Sequence, residues 1–412
     1  MRVVIVAIGS AGDVHPFVAV GRGLREQGHE VVIHASAWYE EAVTRAGIGF
    51  EPMDTRERYL EMTARTELWD PRKAFPFIMQ EAVLAPLRLL YGKLEAEARA
   101  GSILVGSSLD LAGRLLQEKH GTRFVTAHVA PAILRTVHRV PVFQGTGFVG
   151  RMPRWFKRGF WWLSDRIFDP TWVPQFNAFR RELGLKDIRR PFHGWWNSPE
   201  RILGLWPDWF GPIQPDWPPQ VRLTGFPFFD RAASEPPGAD LGRWLDDGPP
   251  PVLFTHGSAN VQGERFFRES VAVCERLEVR GLLVTANPRD VPGRLPPGVR
   301  HESYVPFSLV VPRATALVSH GGIGTVAQGL RAGVPQLAVP MAHDQHDNGS
   351  RLVDLGTGAM VPSGQYEAPR VAPLLDGLLR DGAMRTRCAE RAALLRASDP
   401  VAAACAGILG GA

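Results

Sequence analysis

The feature that most constrains this chain is a unit that recurs along it. A short unbroken run of aliphatic and β-branched residues ends in a glycine-bearing turn, and apolar residues at helical spacing follow. Val3–Ile8 contains no polar residue. A strand that needs no solvent face is covered on both sides, which is the signature of a parallel sheet. Phe17, Val20 and Leu24 then recur at helical spacing up to Gly28. Strands are expected over Glu30–His34, Ser102–Ser107 and Arg123–His128, with helices over Tyr39–Ala46 and Leu109–Lys119. The rhythm returns with strands at Val252–His256, Gly281–Thr285, Ala316–Ser319 and Val334–Val339. Helices are expected over Gly263–Leu277, Thr325–Ala332, Asp347–Leu355 and much of Val371–Leu395. Two α/β, doubly wound, Rossmann-like domains follow.

A chain of 412 residues exceeds one core and suits two domains. Phe228–Pro251 carries Pro236, Pro237, Pro249, Pro250 and Pro251 and reads as a linker. The expected division is 1–235, then 236–395, with 396–412 as a tail that returns to the N-terminal domain. With 45% apolar and 22% charged residues, wholesale disorder is excluded. No run of 18 apolar residues occurs, and no secretion signal is read at the start. Cys274, Cys388 and Cys405 fit neither a disulfide framework nor a zinc pattern, so a cytoplasmic setting is the expectation. The 47 basic residues are all arginine except Lys73, Lys93, Lys119, Lys157 and Lys186. A net charge of +5 over this length is too mild to point to nucleic acid.

Three glycine- and histidine-bearing turns carry the chemistry. Gly9-Ser10-Ala11-Gly12-Asp13-Val14-His15-Pro16 follows the first strand, where open α/β sheets bind ligands. Asp13 and His15 are its titratable groups and the candidates for taking a proton from a bound hydroxyl. The bland alternative is that Asp13 caps the helix. The spacing does not give the dinucleotide fingerprint, so no NAD site is read. Ser319-His320-Gly321-Gly322-Ile323-Gly324-Thr325 joins a strand to a helix. Its free N–H groups and helix dipole favour an anion, with His320 as a further donor. Thr255-His256-Gly257-Ser258 ends another strand and could close on the same phosphates. Pro340-Met341-Ala342-His343-Asp344-Gln345-His346-Asp347-Asn348 matches no metal-ligand spacing. Asp344 and Gln345 suit vicinal hydroxyls of a sugar, or cap the helix expected near Asp347.

Together these motifs, with Ala332-Gly333-Val334-Pro335, resemble the family 1 glycosyltransferases of GT-B fold over nearly the whole chain. Leu68-Trp69-Asp70-Pro71 and Thr224-Gly225-Phe226-Pro227 narrow the resemblance toward the rhamnosyltransferases of rhamnolipid synthesis. The resemblance implies two Rossmann-like domains facing a central cleft. It implies an inverting transfer from a nucleoside diphosphate sugar, dTDP-L-rhamnose or a UDP-sugar, with neither metal nor bound cofactor. His320, Gly322, Gly324 and Thr325 would hold the pyrophosphate with Ser258. Tyr304 and Val305 would meet the nucleobase, Asp344 and Gln345 the sugar. Asp13 stands where the family places its base, with His15 as the alternative. The acceptor would be a hydroxyl of a lipid-like molecule such as a hydroxyalkanoyloxyalkanoate. Antibiotic, polyketide and sterol aglycones are the alternative, followed by a sugar-nucleotide epimerase or a binding module without turnover.

Eight of the twelve tryptophans fall within residues 129–215. In Arg151–Phe168, Phe156, Phe160, Leu163 and Ile167 form a stripe expected to pack on the core, with a solvated basic face. Trp161 and Trp162 lie off the stripe and are the acceptor-binding candidates. The competing reading of this segment is a surface that meets lipid at the inner membrane.

Overall fold

The computed structural model describes residues 1–98, 101–230, 238–257 and 263–410. The chain divides into two compact units, Met1–Pro227 with Asp399–Ala412, and Phe228–Ser398.

The first unit is built on a seven-stranded sheet. Its strands are β1 (Arg2–Val6), β2 (Glu30–Ala35), β3 (Gly49–Pro52), β4 (Ile103–Gly106), β5 (Arg123–His128), β6 (Arg201–Gly204) and β7 (Val221–Leu223). They lie in the order β3-β2-β1-β4-β5-β6-β7, every pairing parallel. The second unit holds β8 (Val252–Thr255), β9 (Gly281–Val284), β10 (Val299–Glu302), β11 (Ala316–Ser319), β12 (Gln336–Ala338) and β13 (Gly358–Met360). Their order is β10-β9-β8-β11-β12-β13, again all parallel. In both sheets the order reverses at the first strand, which brings the turns after neighbouring strands together at the carboxyl edge.

The apolar runs sit inside as expected. Val3, Val4, Ile5 and Val6 are fully buried, as are Val252, Leu253 and Phe254. Each such side chain contributes roughly 1.5–3 kcal/mol on burial. Five strands escaped sequence reading: β3, β6, β7, β10 and β13. They have three or four residues each, and four of the five are peripheral, so their apolar signal is short and half-exposed. The Phe228–Pro251 stretch is not all linker. Ala239–Asp246 is a helix whose Leu241 and Leu245 are buried with Leu253 and Leu282. The Val371–Leu395 helix is two, Ala368–Arg380 and Gly382–Arg396, broken where Asp381 caps the second by accepting from the Met384 N–H at 2.8 Å.

The last helix, Pro400–Leu409, belongs to the first unit. It packs on the opening helix, Ala11–Glu26, because glycines permit close approach. A Cβ on Gly23 would stand 2.5 Å from Val401 Cγ1, and one on Gly407 2.8 Å from Leu203 Cδ2. Among the described residues no single helix is long and apolar enough to cross a membrane.

Candidate active site

In the first unit the site is built on the β1 turn. Ser10 is the N-cap of the Ala11–Glu26 helix, which begins earlier than its apolar spacing shows. Asp13 reaches back to this cap. Its Oδ2 accepts from the Ser10 N–H at 2.8 Å and from the Ser10 hydroxyl at 2.9 Å. Asp13 therefore does cap the helix, as the bland reading held. Burial nevertheless raises its carboxyl above the ordinary range, against the pull of both Ser10 hydrogen bonds. A raised carboxyl is a better base for a hydroxyl proton than a surface aspartate.

An aromatic group beside Asp13 was not legible in the sequence. Tyr39 and Tyr59 share a hydrogen bond of 2.7 Å, and Tyr39 also donates to the Gly9 carbonyl at 3.5 Å. Trp38 stacks on Tyr59 with ring centres 5.5 Å apart, and the His15 ring stands edge-on to Tyr39 at 6.2 Å. Burial pushes the Tyr59 phenol up to about 12, and the Asp13 charge adds to this. Tyr39 is shifted the same way, by burial first. The available signal was that Trp38-Tyr39 follows the second strand at the same sheet edge.

The adjacent turn carries a second polar chain. The Ile8 N–H donates to Ser107 Oγ at 3.1 Å, tying the β1 and β4 turns together. Ser108 Oγ and His128 Nδ1 are 2.8 Å apart, and His128 Nε2 lies 2.7 Å from Asn197 Oδ1. Burial drives His128 down to about 4, so the ring is neutral at pH 7. Its one proton goes to Asn197, and Nδ1 accepts from the Ser108 hydroxyl. Three distant segments meet here, which no local pattern foretells.

In the second unit the turns after β8, β11 and β12 meet. His320 sits between two glycines. A Cβ on Gly257 would be 2.6 Å from its Cε1, and one on Gly322 2.4 Å from its Nε2. Gly322 is the N-cap of the Ile323–Ala332 helix and offers no side-chain cap. The first-turn N–H groups of Ile323, Gly324 and Thr325 have no intrahelical partner and face outward with the positive end of the dipole. His320 Nδ1 is buried and makes no hydrogen bond among the described residues. Burial lowers His320 to about 4 and His256 to about 3, so both rings are neutral donors at pH 7. The arrangement can act chemically as a cradle of N–H donors for an anion. Ser258 lies outside the described residues.

Asn348 locks this cradle to the β12 turn. Its side-chain amide donates to the Gly321 carbonyl at 3.0 Å and to Asp344 Oδ2 at 2.8 Å. The helix begins at Gln345, with Asp344 as N-cap residue but without a capping side-chain bond. Gln345 is buried, and its Oε1 accepts from the Met341 and Ala342 N–H groups at 2.8 and 3.1 Å. It shapes the turn, and Nε2 is its other polar atom. Asp347 is bound to Arg351 at 2.6 Å in a buried ion pair. Among the described residues no group of three acidic, histidine or cysteine side chains could hold a metal ion.

The remaining candidates separate. Tyr304 is at the surface, whereas the Val305 side chain is inside the core with Leu253 and Leu317. Only the Val305 backbone is available to a base. Trp161 turns inward, donating from Nε1 to the Thr136 carbonyl at 3.0 Å under the Arg135 guanidinium. Trp162 is exposed. The two tryptophans therefore do not share a face.

Two parallel-sheet Rossmann-like units with these turns define a glycosyltransferase of GT-B fold, and the chain belongs to the family 1 and family 28 type of these enzymes, among homologues that serve antibiotic synthesis. Residues 3–138 match the glycosyltransferase family 28 N-terminal domain, and residues 278–410 match the C-terminal domain of erythromycin biosynthesis protein CIII-like proteins. The chain is 30% identical to O-mycaminosyltylonolide 6-deoxyallosyltransferase of Streptomyces fradiae, over 98% of this chain and 96% of that one. It is 26% identical to sterol 3-beta-glucosyltransferase UGT80A2 of Arabidopsis thaliana, over 92% of this chain and 61% of that enzyme. Among solved structures, the glycosyltransferase SnogD from Streptomyces nogalater matches with a TM-score of 0.68 at 18% identity, covering 100% and 99% of the two chains. VinC, solved in complex with dTDP, matches with a TM-score of 0.68 at 19% identity over 99% of both chains.

Proposed function

We propose that this protein transfers a 6-deoxyhexose, L-rhamnose among the candidates, from a dTDP-sugar to a hydroxyl of an apolar acceptor, with inversion. The observation that carries this reading is the cradle around His320. A transferring sugar leaves behind a diphosphate, and negative charge grows on it as the anomeric bond breaks. The N–H groups of Ile323, Gly324 and Thr325, with the His320 ring, would meet that charge. Asp344 and Gln345 would orient the sugar. Asp13, with its raised carboxyl, would take the acceptor proton, and direct displacement then inverts the anomeric carbon. The dTDP and deoxysugar preferences draw on the names of VinC's ligand and of the Streptomyces fradiae relative.

The acceptor class supported first is an antibiotic or polyketide aglycone, since Trp38, exposed and stacked on the buried Tyr59, offers flat apolar surface at the sheet edge that carries Asp13. The second reading, a hydroxyalkanoyloxyalkanoate or other lipid, is favoured by the exposed aromatic and basic helix at Arg154–Phe168. The test is incubation with a panel of dTDP- and UDP-sugars and with both acceptor classes, read by mass spectrometry. A new glycoside with an inverted anomeric centre is expected. Retention at that centre, or failure of calorimetry to detect TDP or UDP binding, overturns the proposal.

A further inference from the structure

We propose that the Arg154–Phe168 helix docks the protein on an anionic lipid bilayer. This helix is mounted with its polar side inward. Lys157 and Asp165 are its buried residues, while Trp155 is 72% exposed, Ile167 55%, Leu163 51% and Trp162 49%. The rotation is fixed by bonds that the apolar residues do not make. Lys157 Nζ donates to the His138 carbonyl at 3.2 Å. The Asp165 carboxylate is bound by Arg135 and, at 2.7 Å, by Arg190. A buried carboxylate with two guanidinium partners is costly to withdraw, so the helix does not roll Trp155 and Trp162 inward, and Trp161 alone of its tryptophans faces the protein.

The outward face has the composition of an interfacial helix. Phe148, 55% exposed, extends the apolar patch through its edge contact with Phe156. Arg151, Arg154, Arg158 and Arg166 are exposed around it. Asp165 is the only acidic residue from 151 to 168, and it is already neutralised. Tryptophan rests at the headgroup level, leucine and isoleucine enter the acyl boundary, and arginines meet lipid phosphates. A second copy of the chain fits less well. A two-fold contact through this patch would set the same arginines against one another. The inference stands apart from which sugar the enzyme moves.

Vesicle co-sedimentation tests it on the full chain. Vesicles of phosphatidylcholine with about one-third phosphatidylglycerol should carry the protein down at low salt, and pure phosphatidylcholine should not. Each of Arg151→Gln, Arg154→Gln and Arg158→Gln should weaken partition roughly fivefold. Trp155→Ser with Leu163→Ser should weaken it as well, with the thermal midpoint and far-ultraviolet spectrum unchanged. No co-sedimentation with the anionic vesicles sinks the proposal, as does undiminished binding by folded variants. A concentration-dependent dimer that these variants dissolve would also overturn it and assign the face to a second copy.

Discussion

Gly9 and Asp13 interlock: a Cβ on Gly9, whose φ is +136°, would stand 2.4 Å from Asp13 Oδ2. The glycine is thus required twice, by its backbone angle and by the carboxylate it shelters. Gly9→Ala should displace the carboxylate and lower kcat by about two orders of magnitude or more. Asp13→Asn keeps an oxygen for the Ser10 N–H, so the helix cap survives while the base is lost. A fall in kcat of roughly 10²–10⁴-fold with little change in donor KM is expected. The acid limb of the wild-type pH–rate profile should lie above that of an ordinary aspartate, because burial raises Asp13. Steady-state kinetics of both variants decide this; a normal rate for Asp13→Asn removes Asp13 as the base.

His320 should acquire a proton when nucleotide arrives. Burial holds it near 4 in the free protein, so a diphosphate beside it can only raise that value. Affinity for TDP should therefore increase as pH falls from 8 to 6. Calorimetry at pH 6 in buffers of different ionisation enthalpy should show net proton uptake by the wild type and less by His320→Gln. Equal uptake by the two proteins would assign the proton to another group.

Two buried groups in the first unit pull its stability in opposite directions with pH. His128, lowered to about 4 by burial, stabilises fully above about 6.5, and this contribution is lost as pH falls through 4. Asp110, raised to about 7 by burial, stabilises fully below about 4, and this contribution is lost as pH rises through 7. The two offset each other between pH 7 and 4.5. Asp110→Asn keeps an oxygen for the Gly113 N–H, bonded at 2.9 Å, and removes the opposing titration. Relative to wild type, it should lose on the order of 3 kcal/mol more on acidification across that range. His128→Gln should shift the slope the other way. Urea titrations at the two pH values read both, and parallel slopes for all three proteins would contradict the assignment.

Removing the chain from Asp399 onward should damage the first unit, not the unit that precedes the cut. Val401 lies against Gly23, Gly407 against Leu203, and Cys405 Sγ approaches the Val20 carbonyl at 3.6 Å. Truncation exposes Val20 and Leu203 and should lower the first unit's thermal midpoint by several degrees. Residue-resolved hydrogen exchange is the measurement. Faster exchange confined to residues 228–398 would place the helix's role elsewhere.

The contrast between the two turns shows how far sequence reading reaches. The His320 turn was legible because its parts are consecutive: a strand end, three glycines and a helix start lie within seven residues. The partners that define its state are not consecutive. Gly257 flanks the ring from 63 positions away, and Asn348 anchors Gly321 from 27 away. The Ser108–His128–Asn197 chain is assembled entirely from such distant pieces. Val305 shows what motif position does not carry, since packing takes its side chain into the core and leaves its backbone for a base.

Local pattern alone determined the parallel sheets, the turns that end their strands and the residue types gathered at those turns, because an uninterrupted apolar strand has few ways to hide both faces. Which way the Arg154–Phe168 helix points, and what ionisation state Asp13, His128 and His320 hold, belonged to the folded molecule. Those outcomes depend on desolvation and on partners from remote segments, and periodicity along the chain carries no record of either.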